Sequence, residues 1–423
     1  MKPRVWLLLS LAVSAVTWLY AVKVLLPATA IVGAEYGTLT QLGDLYPRWV
    51  GTRELLLYGR NPYGPEVSHE IQQGFYGHSI EQRSDVPGIK LIDEQRFAYP
   101  IYVVFLMAPT VHLEFSQVRR WAPLVLLLLA APIVPFSLDL LRWRLPWESV
   151  AALTLFTVSS PQIVHGIEHQ QMAVLVGLLL VAAASCASRG RHHLAGVLLA
   201  CSTIKPQLAL FPICFFLIWT SGNLRQRWRL LAAFLISLAA LTAAGEWLLP
   251  GWLADFVAGI AAYRRYFPTT SILRVVFGET LGIILGAIIV LLLLVLAWRE
   301  RKQPIDSRQQ ILVFASFLIG TLLAFPLLTP FNQVLLIFPA ILLVSEWRLL
   351  PRLSQIVFAA AVTWPWIAFC ELLVFPPRLD SLKRVPLLPS ALVLFFPLLL
   401  PVLLMSRRTA SLPQLQLDNS QRS

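Results

Sequence analysis

The sequence predicts an all-α, polytopic membrane protein. Apolar residues make up 57% of the 423 residues and charged residues only 13%, whereas soluble domains carry about 25% charged residues. Apolar runs of about 18 residues or more also recur along the whole chain. The net charge of +12 comes from basic residues in short clusters between these runs, as in cytoplasmic loops, so we do not expect nucleic-acid binding.

Hydropathy divides the chain into spans and loops. The candidate spans cover residues 5–27, 121–141, 148–164, 171–187, 194–219, 228–248, 278–298, 309–328, 331–346, 353–375 and 388–405. The first apolar run is too long for a usual signal peptide, so we expect an uncleaved span. We interpret residues 1–408 as one membrane domain whose first extracytoplasmic loop covers 33–97, and 409–423 as a polar cytoplasmic tail.

The basic clusters decide the topology. Strict alternation with 98–115 as a full span puts the clusters at 142–144, 189–191 and 225–229 outside, against the positive-inside rule. The conflict disappears if 98–115 is a re-entrant hairpin and if 194–219 consists of two half-spans that meet at Lys205-Pro206, because proline disfavours helix before it. This interpretation places the polar segments 33–97, 165–171, 249–276, 329–333 and 376–387, together with Lys205, on the outer side. Polar groups at membrane depth are expected to line a cavity or a pathway.

The segment LGDLYPRWVGTRELLLYGRNPYGP, residues 42–65, predicts an amphipathic helix on the outer interface. Asp44 directly precedes it and Pro47 falls in its first turn, so the local pattern alone favours Asp44 as an N-cap. The alternative is that Asp44 is a general base at a membrane-surface site.

Five segments occur in an order that carries a family resemblance. They are the aspartate after the first span, the helix ending in LLLYGRNPYG, and then FAYPIYVVFLMAPT, GIEHQQMAVLVGLLLVAA and LAGVLLACSTIKPQLALFPICFFL. In this order they resemble the GT87 (DUF2029) family of GT-C type membrane glycosyltransferases, which includes polyprenyl-phosphate-mannose-dependent α-mannosyltransferases. The resemblance covers about residues 5–345 and implies a GT-C-like bundle of about 11–13 transmembrane helices whose large first extracytoplasmic loop carries interfacial helices. The sequence departs from the family at Tyr99-Pro100-Ile101 and between Gly166 and Gln171.

The resemblance implies a function. We expect a hexose, with mannose favoured, to move from a polyprenyl-phosphate-sugar donor to a hydroxyl of a lipid-linked or glycan acceptor. This reaction is expected at the outer face of the plasma (inner) membrane, among membrane lipids and without a cofactor. Asp44 is the aspartate implied as general base, a role that contributes about 10²- to 10⁴-fold. The sequence shows no DxD carboxylate pair of nucleotide-sugar enzymes, which also favours a lipid-linked donor.

Basic residues on the same side are candidates for the donor phosphate. They are Lys205, Arg264 and Arg265, since cationic groups offset charge on a departing phosphate. The alternatives are that the arginine pair anchors a helix to lipid headgroups and that Lys205 stabilises a helix break.

Other polar residues are candidate substrate contacts: Glu168, His169, Gln170 and Asn332. His165 and His169 lie four residues apart, which permits a zinc pair, but no third ligand is evident at a useful spacing. We therefore favour polar lining or structural hydrogen bonding there, and we expect no metal.

The sequence is also compatible with two other functions. A transporter or lipid flippase also has broken spans, but such proteins more often show internal repeats, and the sequence has none that we detect. An O-antigen ligase-like transferase usually has its large outer loop late in the chain, whereas here it falls first.

Overall fold

The computed structural model describes residues 3–25, 42–77, 94–266, 270–325 and 329–374. Within these ranges the regular secondary structure is helical and contains no β-strand, which confirms the predicted all-α class. The α-helices are α1 (Pro3–Tyr20), α2 (Leu45–Tyr58), α3 (Pro65–Tyr76), α4 (Val103–Met107), α5 (Phe115–Ala130), α6 (Ile133–Leu140), α7 (Trp147–Val158), α8 (Pro161–Glu168), α9 (Ala173–Ser188), α10 (His192–Ser202), α11 (Pro206–Ser221), α12 (Leu224–Leu248), α13 (Trp252–Tyr266), α14 (Ile272–Phe277), α15 (Glu279–Glu300), α16 (Arg308–Ala324), α17 (Ile337–Ser345) and α18 (Arg352–Val374). A π-helical turn, Ala21–Leu25, follows α1, and short 3₁₀ segments cover Ala108–Thr110, Pro330–Leu336 and Trp347–Leu349.

Some of the described helices are long and apolar enough to cross a membrane. In the described ranges, four helical stretches are long and apolar enough to cross a membrane: Pro3–Lys23, Phe115–Leu140, Leu224–Leu248 and Glu279–Glu300. The pair α7 and α8, bent by 53° at its break, makes a fifth if it counts as one span. Several predicted spans, including 171–187 and 309–328, correspond to shorter apolar helices of 10–17 residues. The predicted span 388–405 and the tail 409–423 lie outside the described residues.

Proline sets the helix breaks that matter for the site. Pro161 and Pro206 occupy the first turns of α8 and α11, where the missing backbone N–H costs nothing. The chain before Pro206 leaves helical geometry, since Lys205 has φ −127° and ψ 77°. The predicted break at Lys205-Pro206 is therefore present, and α10 and α11 form a hairpin around it.

The 98–115 segment does not cross the bundle. The ring of Phe97 lies directly over Gly51 of α2, and at the other end of the segment Trp49 Nε1 donates a hydrogen bond of 3.1 Å to the carbonyl oxygen of Thr110. The ring of Phe115 is then 5.4 Å from that of Trp49. Both ends of the segment pack on α2, as expected for the predicted hairpin.

Polar contacts gather the loops at two ends of the bundle. At one end, the guanidinium of Arg189 binds Asp139, Arg142 binds Asp306, and Arg227 Nη1 donates to the carbonyl oxygen of Arg301 at 2.7 Å. We call this end, with the loops at 141–146, 189–191, 222–223 and 301–307, the basic end. The opposite end holds the segment before α2, the 165–171 segment, the α10–α11 turn and the 329–333 segment, which meet in one polar site.

Candidate functional site

Asp44 precedes α2 but does not cap it. Its backbone has φ −63° and ψ −6°, and its side chain makes no capping hydrogen bond, so the N-cap role favoured by the local pattern is wrong. Its Oδ2 atom instead accepts a hydrogen bond from Gln171 Nε2 and lies 4.0 Å from a terminal nitrogen of Arg48. With 40% of its side chain exposed, Asp44 presents a carboxylate that is both held and accessible.

Backbone contacts fix Asp44 against the segment after α8. Its N–H donates to the carbonyl oxygen of His169 at 3.1 Å. At Gly43 a Cβ atom would lie 3.2 Å from the carbonyl carbon of His169 and 3.0 Å from the side chain of Gln170, so a larger residue here would press on the 169–171 turn. Gln170 itself adopts the left-handed region with φ 53°, which turns the chain and brings Gln171 towards Asp44.

A chain of polar side chains connects Asp44 to the two other helix breaks. The Nζ atom of Lys205 donates to Gln171 Oε1 at 2.8 Å and to Asn332 Oδ1 at 3.2 Å, while the amide of Gln171 donates onwards to Asp44. Lys205 is only 5% exposed, and its Nζ lies 4.8 Å from the ring centre of Phe331. We call Asn332, Lys205, Gln171 and Asp44 the polar bridge. It supplies hydrogen-bond acceptors to a buried ammonium and a donor to the Asp44 carboxylate, as buried polar groups require.

Arg48, a buried residue of α2, contacts the segments next to the polar bridge. This arginine is 1% exposed, and its guanidinium carbon lies 4.0 Å over the ring of Tyr99. One terminal nitrogen donates to the Tyr99 hydroxyl at 2.5 Å and the other to the carbonyl oxygen of Gln170 at 3.2 Å. The hairpin carrying Tyr99 is fixed in turn, because Tyr102 donates to the carbonyl oxygen of Thr203 at 2.9 Å. Arg48 therefore connects α2, the hairpin and the 169–171 turn.

His165, Glu168 and His169 form a second cluster beside Asp44. The Oε2 atom of Glu168 is 3.4 Å from His165 Nδ1 and 4.0 Å from His169 Nδ1. Ligand-capable atoms of the three side chains all lie within 4.8 Å of one another. Because His169 also accepts the Asp44 backbone hydrogen bond, this cluster is continuous with the site.

Comparison with known proteins then gives the family. The model of glycosyltransferase family 87 matches residues 97–330, more than half of the chain. The chain belongs to glycosyltransferase family 87. No curated protein and no solved structure matches it. The membership makes the chain a membrane glycosyltransferase, which acts on a sugar donor and an acceptor.

The structure of this family 87 glycosyltransferase brings several predicted residues together. Asp44, Lys205 and Asn332 meet in the polar bridge, whereas Gln170 contributes its backbone carbonyl rather than its side chain to Arg48. Glu168 and His169 lie in the adjacent cluster. The side chains of Arg264 and Arg265 lie outside the described residues. Their helix α13 is attached to the first loop, since Asn61 donates to Asp255 at 2.8 Å.

Two contributors to the site, Gln171 and Arg48, were not among the residues predicted from the sequence. Arg48 lies four residues after Asp44, a spacing that places both on one helix face, so a signal for it existed. Gln171 sits at the expected start of a span, and only the left-handed turn at Gln170 selects it over its neighbour.

Proposed function

We propose that this family 87 enzyme transfers a hexose, with mannose favoured, from a polyprenyl-phosphate-linked sugar to a hydroxyl of a lipid-linked or glycan acceptor. In this proposal Asp44 is the general base and the reaction takes place at the extracytoplasmic face of the plasma membrane. The observation that carries it is the Asp44 carboxylate, which is accessible, makes no side-chain cap hydrogen bond and is held by a buried polar bridge.

The chemistry follows from that geometry. Gln171 and Arg48 both approach Oδ2 of Asp44, which leaves Oδ1 as the oxygen that takes the proton of the acceptor hydroxyl. As this proton transfers, the acceptor oxygen bonds to C1 of the sugar, and the bond from C1 to the phosphate oxygen breaks. The phosphate leaves with the electron pair. A single displacement of this kind inverts the configuration at C1.

Positive charge near the leaving group lowers the barrier for its departure. Lys205 is the described candidate, because its ammonium lies in the polar bridge next to Asp44 and is kept there by Gln171 and Asn332. Arg264 and Arg265, at the end of α13, remain candidates from the sequence for binding the phosphate oxygens. Arginine forks match these oxygens in a bidentate manner.

An apolar cavity supports a lipid-linked donor. It has a volume of about 120 Å³ and lies between α7, α8, α17 and α18. Gln333, the neighbour of Asn332, lines it, and side chains further along α17, as far as Val344, line it as well. The largely apolar walls of this cavity and its position next to the polar bridge suit a short part of an isoprenoid tail.

The basic end supports the proposed orientation, since the positive-inside rule places such arginine-rich loops in the cytoplasm. Single cysteines at Glu66, in α3, and at Arg191, at the basic end, test this in a background without the native cysteines. We expect a membrane-impermeant maleimide added to intact cells to label Glu66→Cys and not Arg191→Cys. The reverse pattern would place the site in the cytoplasm.

Transfer of radiolabelled sugar from polyprenyl-phosphate donors by purified protein tests the reaction itself. We expect Asp44→Asn to lower the rate by about 10²- to 10⁴-fold, while the matched control Asp306→Asn at the basic end keeps the wild-type rate. An Asp44→Asn variant as fast as wild type would show that the base is another group. Wild-type protein that transfers no sugar but moves a lipid or solute across vesicles would refute the enzymatic proposal.

A further inference from the structure

The last turn of α8 brings three metal-ligating side chains to one place. His165 and Glu168 lie three residues apart, and His165 and His169 four apart, so all three project from the same helix face. Nδ1 of His169 is 3.1 Å from the carbonyl oxygen of His165. An N–H donated to this carbonyl orients the ring and leaves Nε2 as its ligand atom, since metal-bound histidines commonly donate their other ring N–H in this way. The order His-x-x-Glu-His is also one of the arrangements in which helices of zinc enzymes carry their histidine ligands.

The spacing of His165 and Glu168 fits a shared metal ion better than a hydrogen bond. Two ligand atoms at about 2.0–2.1 Å from a tetrahedral zinc ion lie about 3.4 Å apart. The observed distance from His165 Nδ1 to Glu168 Oε2 is 3.4 Å, which is long for an N–H···O bond. His169 provides the third ligand within the 4.8 Å cluster.

The buried atoms of the cluster also need a partner. The Glu168 side chain is only 9% exposed, and both its carboxylate oxygens, as well as Nδ1 of His165, are buried without a hydrogen-bond partner among the described residues. Burying a carboxylate without a hydrogen bond or a strongly bound cation is costly. A divalent ion at the cluster would satisfy all three atoms at once.

We propose that His165, Glu168 and His169 bind one divalent transition-metal ion, with zinc as the ion that two imidazoles and one carboxylate favour. The third ligand that the sequence did not reveal is Glu168 itself, brought between the two histidines by the helical turn. The His169 side chain is 41% exposed, so the ion has a route from solvent and an open coordination position on that side. Three protein ligands and one open position are typical of catalytic zinc sites.

The ion would lie next to the catalytic candidate. His169, one of its ligands, accepts the backbone hydrogen bond of Asp44 at 3.1 Å, so loading the site stiffens the segment that positions Asp44. Metal binding is independent of the proposed function. A phosphate oxygen of the donor could occupy the open coordination position of the ion, and only this step rests on the proposed function.

Measurement of the metal content of the purified protein tests the proposal directly. Protein purified with a tag that contains no histidine is stripped with a chelator, incubated with zinc chloride, passed through a desalting column and measured by inductively coupled plasma mass spectrometry. We expect about one zinc ion per chain in the wild type, and about tenfold less in His165→Asn and in Glu168→Gln, because each loses a ligand. His193→Asn, an exposed histidine of α10 at the basic end, is the matched control and should retain the wild-type content.

Thermal unfolding provides a second measurement that does not need the ligand variants His165→Asn and Glu168→Gln to fold. Zinc should raise the unfolding midpoint of the wild type and of His193→Asn, because a ligand that binds only the folded state stabilises it. Stripped wild-type protein that takes up no zinc, or whose midpoint zinc does not raise, would overturn the proposal. So would variants that fold and keep the full zinc content. None of these results bears on the Asp44→Asn comparison, so the metal site and the transferase function fail or stand separately.

Discussion

Replacement of Gln171 separates the two roles of the polar bridge. Its amide oxygen accepts from the buried Lys205, and its amide nitrogen donates to Asp44. Glutamate at this position keeps the acceptor for Lys205 but offers no donor and faces Asp44 with a second carboxylate. Leucine removes both contacts. Gln171→Glu should therefore lose activity while it keeps stability, and Gln171→Leu should lose both.

The contacts set the expected magnitudes. A hydrogen bond to a charged group contributes about 1.5–3 kcal/mol, and Lys205 at 5% exposure has little access to replacement water. Gln171→Leu should therefore lower the free energy of unfolding by about 1.5–3 kcal/mol. The bond to Asp44 adds less to stability, because water can replace it at a carboxylate that is 40% exposed. Misplacing a catalytic group by about 1 Å costs about 10²-fold in rate, which is the loss of kcat we expect for both variants.

The assay combines sugar transfer with thermal unfolding in detergent. Gln226→Glu is the matched control, because it makes the same change of amide to carboxylate at an exposed position of α12 next to the basic end. The control should keep wild-type kcat and KM. If Gln171→Glu transferred sugar with the wild-type kcat, the amide would not position Asp44. If Gln171→Leu were as stable as the wild type, the bridge would not stabilise Lys205.

Three further substitutions test the framework around the site. Tyr99→Phe removes the hydroxyl that accepts from Arg48 at 2.5 Å but keeps the ring under the Arg48 guanidinium. The free energy of unfolding should fall by about 1.5–3 kcal/mol, with the protein still folded at room temperature. Arg227 at the basic end donates hydrogen bonds to several backbone carbonyl oxygens, one of them at 2.6 Å. Arg227→Met removes this donor. It should therefore lower the unfolding midpoint and leave the KM of the folded enzyme unchanged. Gly196→Ala puts a Cβ where α10 meets the backbone of Leu230 in α12. Overpacking of this kind lowers the free energy of unfolding by about 1–3 kcal/mol, so the thermal unfolding midpoint should fall. Wild-type midpoints in all three would contradict the packing described here.

The interruptions of the spans were predictable because they depend on long stretches of sequence. Apolar run length and the arginine clusters required a break at Lys205-Pro206 and a hairpin at 98–115, and both are present. Proline acts locally and strongly on the backbone, so a helix break at a proline can be predicted without knowledge of tertiary contacts. The number of helices long enough to cross a membrane was less predictable, because helix ends depend on tertiary packing, which a hydropathy window does not see.

The site was predictable only in part, for the opposite reason. The local pattern at Asp44 favours a cap, but capping competes with any stronger partner of the carboxylate, and here Gln171 lies 127 residues away along the chain. Long-range partners of this kind have no signal in the local sequence. Arg48 illustrates the same limit, because its position four residues after Asp44 indicates a shared face, but its burial comes from Tyr99 and the carbonyl of Gln170.

The location of the site follows from where the helices are interrupted. Each member of the polar bridge lies at a place where the chain leaves helical geometry: Asp44 just before α2, Gln171 after the left-handed residue 170, Lys205 before Pro206, and Asn332 in the 3₁₀ segment. Backbone groups freed at such breaks must be satisfied when no water is at hand, so polar side chains concentrate there. Breaks that meet at one end of a bundle thus supply a polar site within apolar surroundings. We infer that the broken spans exist in this enzyme to build that site, because an unbroken bundle of the same composition would offer no such group of polar side chains to a sugar donor or an acceptor.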